Sequence, residues 1–267
     1  MDFLKRMKTR LCVSLQKKYY AHISKDRKIK RTTEKASPKI SLIYRISDGG
    51  RTSNKPDYIT KENCLKNAIQ HFPAEACDWF VIADNVSNET YRMIQKYVPA
   101  DAIRQTSLGN AGSFQACCKK ALEKADDCIV YFLEDDYVHR AHSLKILREG
   151  IESGEAEYVT LYDHPDKYGY GTCTSPFVIG GEKTRVFLTE STHWKITNST
   201  TMTFAVRVGT LRADWPIISR WTVKRALDFY MFTDLRRKGR RLIVPIPSYS
   251  THGQNPYLAP LFDWEKE

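Results

Sequence analysis

The sequence predicts an α/β fold in which a mixed, mostly parallel sheet is flanked by helices. Short apolar runs alternate with helical segments from residue 40 onwards, and turn residues or acidic residues follow the apolar runs. Strands that alternate with crossover helices form mostly parallel sheets with helices on both faces. A chain of 267 residues, 42% of them hydrophobic, is also long enough to bury a substantial core.

The first half of the sequence alternates regularly between the two kinds of segment. Predicted strands cover residues 40–46, 79–83, 103–107 and 128–133. Helices are predicted at 61–72 and 89–98, because apolar residues there have helical spacing and Pro73 and Pro99 follow. A further helix is predicted from a cap at Ser113 through Ala125, after the turn Leu-Gly-Asn-Ala-Gly.

The second half is less regular but continues the same pattern. Strands are predicted at 158–162, 201–208 and 242–246, and a helix at 223–238. A loop rich in glycine and threonine spans 169–181, and the last strand leads into a loop that contains His252. Because no internal repeat or second boundary interrupts this pattern, we expect one domain over residues 39–267.

Residues 1–38 are predicted to be a basic amphipathic extension and linker. The formal net charge is +11, and residues 1–39 contribute most of it, with 13 Lys or Arg against three acidic residues. The extension could contact an anionic membrane surface, pack on the body or remain solvated. Few aromatic side chains are placed to stack bases, so nucleic acid is not expected as a partner.

The expected location is cytoplasmic, with peripheral contact at the inner membrane face left open. No apolar run approaches the roughly 18–20 residues of a membrane span, and Lys and Arg interrupt the N-terminus where a secretory signal would be apolar. The seven cysteines are an odd number without a C-x-x-C pair, which favours reduced thiols.

Three consecutive carboxylates, Glu134, Asp135 and Asp136, follow the apolar run 128–133 directly. Such charges repel one another strongly if they lose water without a counter-charge. A divalent cation, Mg²⁺ or Mn²⁺, would relieve this repulsion and could bridge the phosphates of a nucleoside diphosphate. The alternative is a solvated acidic turn.

Polar residues at the other strand ends suit the same ligand, since ligands of parallel sheets bind at the carboxyl ends of the strands. Asp84 could accept a hydrogen bond from a base or ribose hydroxyl. The turn around Asn110 and Gly112 opens a helix whose N-terminal amides favour phosphate. Arg45 is either a residue that stacks on a base or an ordinary surface arginine.

These segments resemble the nucleotide-sugar half of GT-A-fold glycosyltransferases, and glycosyltransferase family 2 in particular. The resemblance is carried by ISLIYRISD (40–48), WFVIADN (79–85) and LGNAGSFQACCKKALEKADDCIVYFLEDDY (108–137), and extends more weakly over about residues 39–260. It implies a GT-A fold and an inverting, metal-dependent transfer of a sugar from a nucleotide-sugar, with a UDP-sugar favoured, to a glycan or lipid-linked acceptor.

The resemblance also implies roles for individual residues. Asp228 corresponds to the general base, although Leu227 stands where the family has an acidic residue, and the alternative is a carboxylate on the helix surface. His252 resembles a C-terminal metal or diphosphate ligand, with a capped loop histidine as the alternative. The expected nucleotide contacts are Arg45, Ser47, Asp84, Asn110, Gly112 and Asp135. The expected metal ligands are Glu134, Asp136 and His252.

Two other functions remain open from the sequence. A sugar nucleotidyltransferase would share the sheet and use a basic residue after the first strand, for which Arg51 and Lys55 are candidates. A non-enzymatic protein would bind membrane or nucleic acid through the basic extension. In the half that would hold an acceptor, His164 lies next to Asp163, and Trp194 is either a sugar-stacking face or a core residue.

Overall fold

The computed structural model describes residues 39–50, 54–168 and 181–267. The predicted basic extension (1–38), Arg51 and nearly all of the predicted glycine- and threonine-rich loop lie outside these residues. In the part of the chain that the structure describes, no helix combines the length and the apolar character that crossing a bilayer requires.

The described residues form eleven strands, nine of which make up one central mixed sheet. In chain order they are β1 (Ile40–Ser47), β2 (Cys77–Asp84), β3 (Ile103–Thr106), β4 (Ile129–Glu134), β5 (Tyr137–His139), β6 (Tyr158–Val159), β7 (Val186–Leu188), β8 (His193–Thr197), β9 (Phe204–Arg207), β10 (Leu242–Ile246) and β11 (Ser250–His252). The spatial order in the large sheet is β3-β2-β1-β4-β9-β6-β10-β8-β7. Strands β8 and β9 are antiparallel to their neighbours, and the first four strands are parallel to one another. The predicted mixed, mostly parallel sheet is confirmed.

Six α-helices of the described part of the chain cover the two faces of this sheet. They are α1 (Lys61–His71), α2 (Asn88–Gln95), α3 (Gly109–Ala121), α4 (Ser143–Glu152), α5 (Val208–Arg220) and α6 (Asp228–Arg237). Two of them begin at side-chain caps, since Thr60 accepts a hydrogen bond from the amide of Asn63 and Ser87 accepts one from the amide of Thr90. Helices α1, α2 and α4 pack on one face, and α3, α5 and α6 pack on the other.

The core lies on both faces because the central strands are apolar at nearly every position. In β1, Leu42 and Tyr44 pack with the first group of helices, whereas Ile43 between them packs with the second. In β4, Tyr131 and Phe132 divide between the two faces in the same way. Successive side chains of a strand point to opposite faces, so a continuous apolar run predicts a strand that is covered on both sides.

A second, two-stranded sheet joins the end of the chain to the segment after β4. Strand β11 pairs antiparallel with β5, which places His252 opposite Tyr137. The amide of Gly253 donates to the carbonyl of Asp136 at 2.7 Å. A Cβ at Gly253 would lie 2.8 Å from that carbonyl oxygen, so glycine permits this close approach. The small sheet therefore fixes His252 beside the acidic residues.

The structure differs from the sequence predictions in four helices, one of which, α6, begins at Asp228 rather than at residue 223. Helix α3 begins at Gly109 rather than after a cap at Ser113, and Gly109 itself has a positive φ, which glycine adopts without strain where the chain turns into the helix. Ser113 instead lies inside the helix and is buried. Helices α4 and α5 were not predicted, and Pro216 within α5 is the kind of residue that argues against a helix.

Two predictions about side chains are resolved by burial. Trp194 is fully buried in the core, and its indole N–H donates to the Thr189 hydroxyl, so it is not a sugar-stacking face. The described cysteines are free thiols, as the odd count predicted; they are Cys64, Cys77, Cys117, Cys118 and Cys128.

Candidate functional site

The candidate site is a cavity of about 420 Å³ at the carboxyl ends of β1, β2 and β4. Strand β1 lies between β2 and β4, so the chain reverses its direction of progress across the sheet at this point. Crevices at such switch points are where open α/β sheets bind ligands. The predicted site residues that line the cavity are Arg45, Ser47, Asp84, Asn110, Glu134, Asp135, Asp136 and His252. Gly112 and Asp228 are not among the lining residues.

Arg45 is buried in the floor of the cavity and connects three elements. Its guanidinium donates to the Glu134 carboxylate on β4, to the Asn110 carbonyl at 2.9 Å and to the Ser113 hydroxyl at 3.2 Å. Burial alone would lower the pKa of Arg45, but the Glu134 carboxylate raises it. Only 9% of the residue is exposed, so Arg45 is not an ordinary surface arginine.

Asp84 holds the loop between β3 and α3. Its carboxylate accepts hydrogen bonds from the amides of Leu108 (2.6 Å) and Gly109 (3.0 Å), from the Thr106 hydroxyl (2.8 Å) and from the Asn85 side chain (2.9 Å). The residue is 1% exposed. Asp84 therefore supplies the negative charge that the start of helix α3 favours. It accepts hydrogen bonds from backbone amides of the turn that the sequence analysis expected to bind phosphate.

Asn110 and Gly112 lie in the first turn of α3 and set its position. The side-chain oxygen of Asn110 accepts from the amide of Ala226, which joins α3 to the segment that leads into α6. A Cβ at Gly112 would lie 2.8 Å from the Cβ of Leu108, so glycine lets the turn close. Both residues organise the cavity wall.

The three acidic residues have different partners. Glu134 pairs with Arg45, and the Asp135 carboxylate accepts from the amide of Ser47 at 3.0 Å. The Asp136 carboxylate contacts a cation and an imidazole: Lys55 Nζ lies 2.9 Å and His252 Nε2 3.3 Å from its Oδ2 atom. The mutual repulsion that favoured a divalent cation is thus relieved in part by basic side chains of the chain itself.

The pKa values of these groups follow from that arrangement. Burial and the charge of Asp136 raise the pKa of Asp135 to about 6. Burial also acts to raise the pKa of Asp136, but the hydrogen bonds and charges of His252 and Lys55 outweigh it and lower that pKa below the usual range. Burial would lower the pKa of His252, whereas Asp136 raises it. Asp136 therefore stays ionised, whereas burial favours the neutral form of its neighbour Asp135.

The predicted metal ligands are only partly brought together. Asp136 and His252 are in contact, while Glu134 is turned to Arg45, and among residues 39–50, 54–168 and 181–267 no group of three or more His, Cys, Asp or Glu is arranged to hold a metal ion. A carboxylate beside an imidazole nitrogen nevertheless suits Mn²⁺ or Mg²⁺ when phosphate oxygens and water complete the shell. The residues present fit a cation bound through two protein groups.

Asp228 begins helix α6 and is partly exposed. Its carboxylate accepts from the amide of Phe229 at 2.8 Å. Burial and the charge of Glu134 raise the pKa of Asp228, while His164 and Lys167 lower it. Asp228 does not line the main cavity.

The residues near the predicted acceptor side are mostly engaged with the protein. Asp163 is 2% exposed and pairs with Lys195 at 2.8 Å. His164 lies 2.8 Å from Asp166 and packs against Tyr257. The charged groups of these residues are thus engaged by other side chains of the protein.

Lys55 and Ser113 are the partners that sequence reasoning did not assign to this site. Lys55 was named only as a basic residue that a nucleotidyltransferase would need, and Ser113 only as a helix cap. The contact between Lys55 and Asp136 joins residues 81 apart in sequence. No local pattern encodes such a contact, but a lysine closely following the turn after the first strand was the available signal.

Comparisons with solved structures identify the fold class. The chain has the GT-A fold: it aligns with the crystal structure of GalNAc-T7 with UDP, GalNAc and Mn²⁺ at a TM-score of 0.53 and 11% identity, covering 80% of this chain and 43% of that one. It also aligns with a crystal structure of residues 1–349 of S. aureus TarS at a TM-score of 0.46 and 19% identity, covering 77% and 57% of the two chains. The chain thus spans about half the length of these proteins. Neither a protein-family model nor a curated protein matches the sequence.

Proposed function

We propose that the chain is a glycosyltransferase that moves a sugar from a nucleotide-sugar to a hydroxyl of a glycan or lipid-linked acceptor, with inversion at the anomeric carbon. The observation that carries the proposal is the cavity at the carboxyl ends of β1, β2 and β4, in a GT-A fold, which brings Arg45 together with the Asp136–His252 pair. Polysaccharide or glycan assembly is the setting that such an activity suits.

The nucleotide-sugar would bind in the cavity with its diphosphate towards Asp136 and His252. UDP is the first nucleotide to test, because GalNAc-T7 shares the fold and its crystal structure holds UDP, GalNAc and Mn²⁺. Asp136 and His252 would hold Mn²⁺ or Mg²⁺, with Glu134 positioned by Arg45 nearby. A bound cation would stabilise the negative charge that develops on the departing diphosphate.

Asp228 is the proposed general base. Its raised pKa favours proton transfer from a hydroxyl more than an ordinary surface carboxylate would. In the proposed step the acceptor oxygen forms a bond to the anomeric carbon as the bond to the diphosphate oxygen breaks, and Asp228 takes the hydroxyl proton. Ser47 and Asp135 would shape the diphosphate pocket, since the Ser47 amide is fixed on the Asp135 carboxylate.

Calorimetric titration of UDP, GDP and dTDP, each with and without Mn²⁺, tests donor binding. We expect one diphosphate to bind with Mn²⁺ to the unmodified chain, and Asp136→Ala to lose that binding while circular dichroism shows an unchanged fold. Asp228→Asn should keep the diphosphate affinity and lose release of nucleoside diphosphate from the nucleotide-sugar. If no diphosphate binds under any condition, the proposal is wrong.

A sugar nucleotidyltransferase is the second candidate, and the position of Lys55 favours it. The ammonium group of Lys55 lies beside Asp136, at a neighbouring cavity of about 370 Å³, where it could meet a triphosphate. Incubation with UTP and a sugar 1-phosphate distinguishes the two activities. Release of pyrophosphate would support the nucleotidyltransferase, and release of UDP from a UDP-sugar would support the glycosyltransferase.

Contact of residues 1–38 with an anionic membrane remains a separate proposal. The excess of Lys and Arg in this segment supports it. Sedimentation with phosphatidylserine vesicles should pellet the full chain, and replacing the Lys and Arg of residues 1–38 by Gln should abolish pelleting without changing diphosphate binding. If the substitutions instead removed all ligand binding, the non-enzymatic alternative, in which the extension carries the activity, would be favoured.

A further inference from the structure

The ammonium group of Lys55 contacts the carboxylate oxygen of Asp136 that a metal ion would need. Its ammonium nitrogen is 2.9 Å from Oδ2 of Asp136, and the His252 imidazole approaches the same oxygen at 3.3 Å. A divalent cation bound between Asp136 and His252 would therefore lie within a few ångströms of the ammonium group. Two positive charges at that distance repel each other in a partly buried site.

The other basic side chains that the structure describes around the cavity, apart from His252, have partners of their own. Arg45 pairs with Glu134, and Lys61 lies 3.3 Å from Asp48. Lys55 is therefore the ammonium group that pairs with Asp136, and its removal would leave that partly exposed carboxylate with His252 as its basic partner among the described residues. A carboxylate that has lost its ammonium partner binds a divalent cation more tightly than one that keeps it.

Lys55 is also the partner that has room to move. His252 and Asp136 are fixed by the pairing of β11 with β5 and by the hydrogen bond between the Gly253 amide and the Asp136 carbonyl. The Lys55 side chain is 22% exposed and borders a second cavity of about 370 Å³ that shares Asp136 with the main one. Its flexible four-carbon stem lets the ammonium group change partner without a change in the fold.

We propose that Lys55 occupies Asp136 in place of the metal ion while the site is free of nucleotide, and that it moves to the diphosphate when the donor binds. The inference rests on the proposed function, because it assumes that a nucleoside diphosphate is the ligand. The diphosphate is a second anion with which Lys55 can pair. When Lys55 moves to it, the Asp136 carboxylate becomes free to bind the cation. Metal and nucleotide binding are thereby coupled through one side chain, and each favours the other.

The test measures Mn²⁺ affinity by electron paramagnetic resonance on the full chain, first without nucleotide. Lys55→Met should bind Mn²⁺ about tenfold more tightly than the unmodified chain, the effect of one partly exposed charge pair. Lys61→Met is the matched control, because Lys61 borders the same second cavity as Lys55 but pairs with Asp48 instead of Asp136. This substitution should leave the Mn²⁺ affinity unchanged. Asp136→Asn should abolish the gain when it is combined with Lys55→Met.

The second measurement repeats the titration with saturating UDP. The unmodified chain should bind Mn²⁺ more tightly when UDP is present. This enhancement should be about tenfold smaller in Lys55→Met, where only the phosphate oxygens contribute to it. Lys55→Gln, which keeps a polar side chain without the charge, should behave as Lys55→Met does. An Mn²⁺ affinity that Lys55→Met leaves unchanged or weakens, or an equal UDP enhancement in both proteins, overturns the inference.

The outcome separates this inference from the proposed function. If UDP, GDP or dTDP binds but Lys55→Met has no effect on Mn²⁺, the coupling by Lys55 is wrong and the nucleotide-binding site stands. If no diphosphate binds the unmodified chain, the proposed function fails, and the coupled exchange fails with it.

Discussion

Replacement of Asp84 separates a residue that builds the site from one that contacts the ligand. The resemblance to glycosyltransferases implied a contact with the nucleotide, whereas the structure gives the carboxylate four protein donors, two of them the backbone amides of Leu108 and Gly109. In Asp84→Ala these donors lose their acceptor in a position that is 1% exposed. A buried donor left without a partner costs about 1–3 kcal/mol.

Allowing for partial access to water from the cavity, we expect Asp84→Ala to lower the free energy of unfolding by about 4 kcal/mol. Asp84→Asn keeps one acceptor oxygen and should cost about 2 kcal/mol. Urea unfolding followed by circular dichroism measures both values. Asp48→Ala is the control: this carboxylate also follows a strand and accepts from the Ser87 amide and the Thr90 hydroxyl, but its side chain is 30% exposed. Its loss should cost only about 1 kcal/mol.

Diphosphate affinity, measured below the unfolding transition of each variant, completes the experiment. If Asp84 holds the loop, stability and affinity should fall together, because Gly109 and Asn110, which the loop positions, line the cavity. A stability within about 1 kcal/mol of the unmodified chain, combined with a large loss of affinity, would refute the structural role. Asp84 would then act mainly on the ligand.

Three further predictions concern the scaffold. Burial lowers the pKa of His139, so the folded chain keeps this histidine neutral. Below about pH 6.5 the unfolded chain takes up a proton that the folded chain does not, and the free energy of unfolding should fall by about 1.4 kcal/mol per pH unit. In His139→Gln, urea unfolding at several pH values should show a pH dependence that is weaker by that amount. Equal slopes would contradict this. Asp214 is fully buried and accepts hydrogen bonds from Tyr158, Lys238 and Arg240. Asp214→Ala should therefore lower the free energy of unfolding by about 3 kcal/mol in the same assay, and a decrease below about 1 kcal/mol would contradict this. Diphosphate affinity should stay unchanged, because Asp214 lies at the amino ends of the strands. In Gly150→Ala the new Cβ would lie 2.6 Å from the Trp194 ring, and a cost of about 1–3 kcal/mol should exceed the gain in helix propensity, so thermal unfolding should shift downwards rather than upwards.

Much of the fold and of the site's location could be predicted from the sequence. The apolar runs at β1, β2 and β4 are local patterns, and the carboxyl ends of parallel strands necessarily share an edge of the sheet. Arg45, Asp84 and Glu134 were therefore expected together before their contacts were known. The short strands and the two unpredicted helices carry weaker patterns, because packing rather than periodicity stabilises them.

The sequence alone determined the alternation of strands and helices, the polar edge of the sheet and the presence of three adjacent carboxylates. Only the tertiary structure decided which charged group meets which partner. Arg45 pairs with Glu134, Lys55 pairs with Asp136, and Asp84 binds amides of a loop that lies more than twenty residues after it in the sequence. The physical reason is the separation along the sequence over which each kind of interaction is determined. Hydrophobic periodicity is read over a few residues, whereas an ion pair depends on distances set by the whole sheet, here across 81 residues for Lys55 and Asp136.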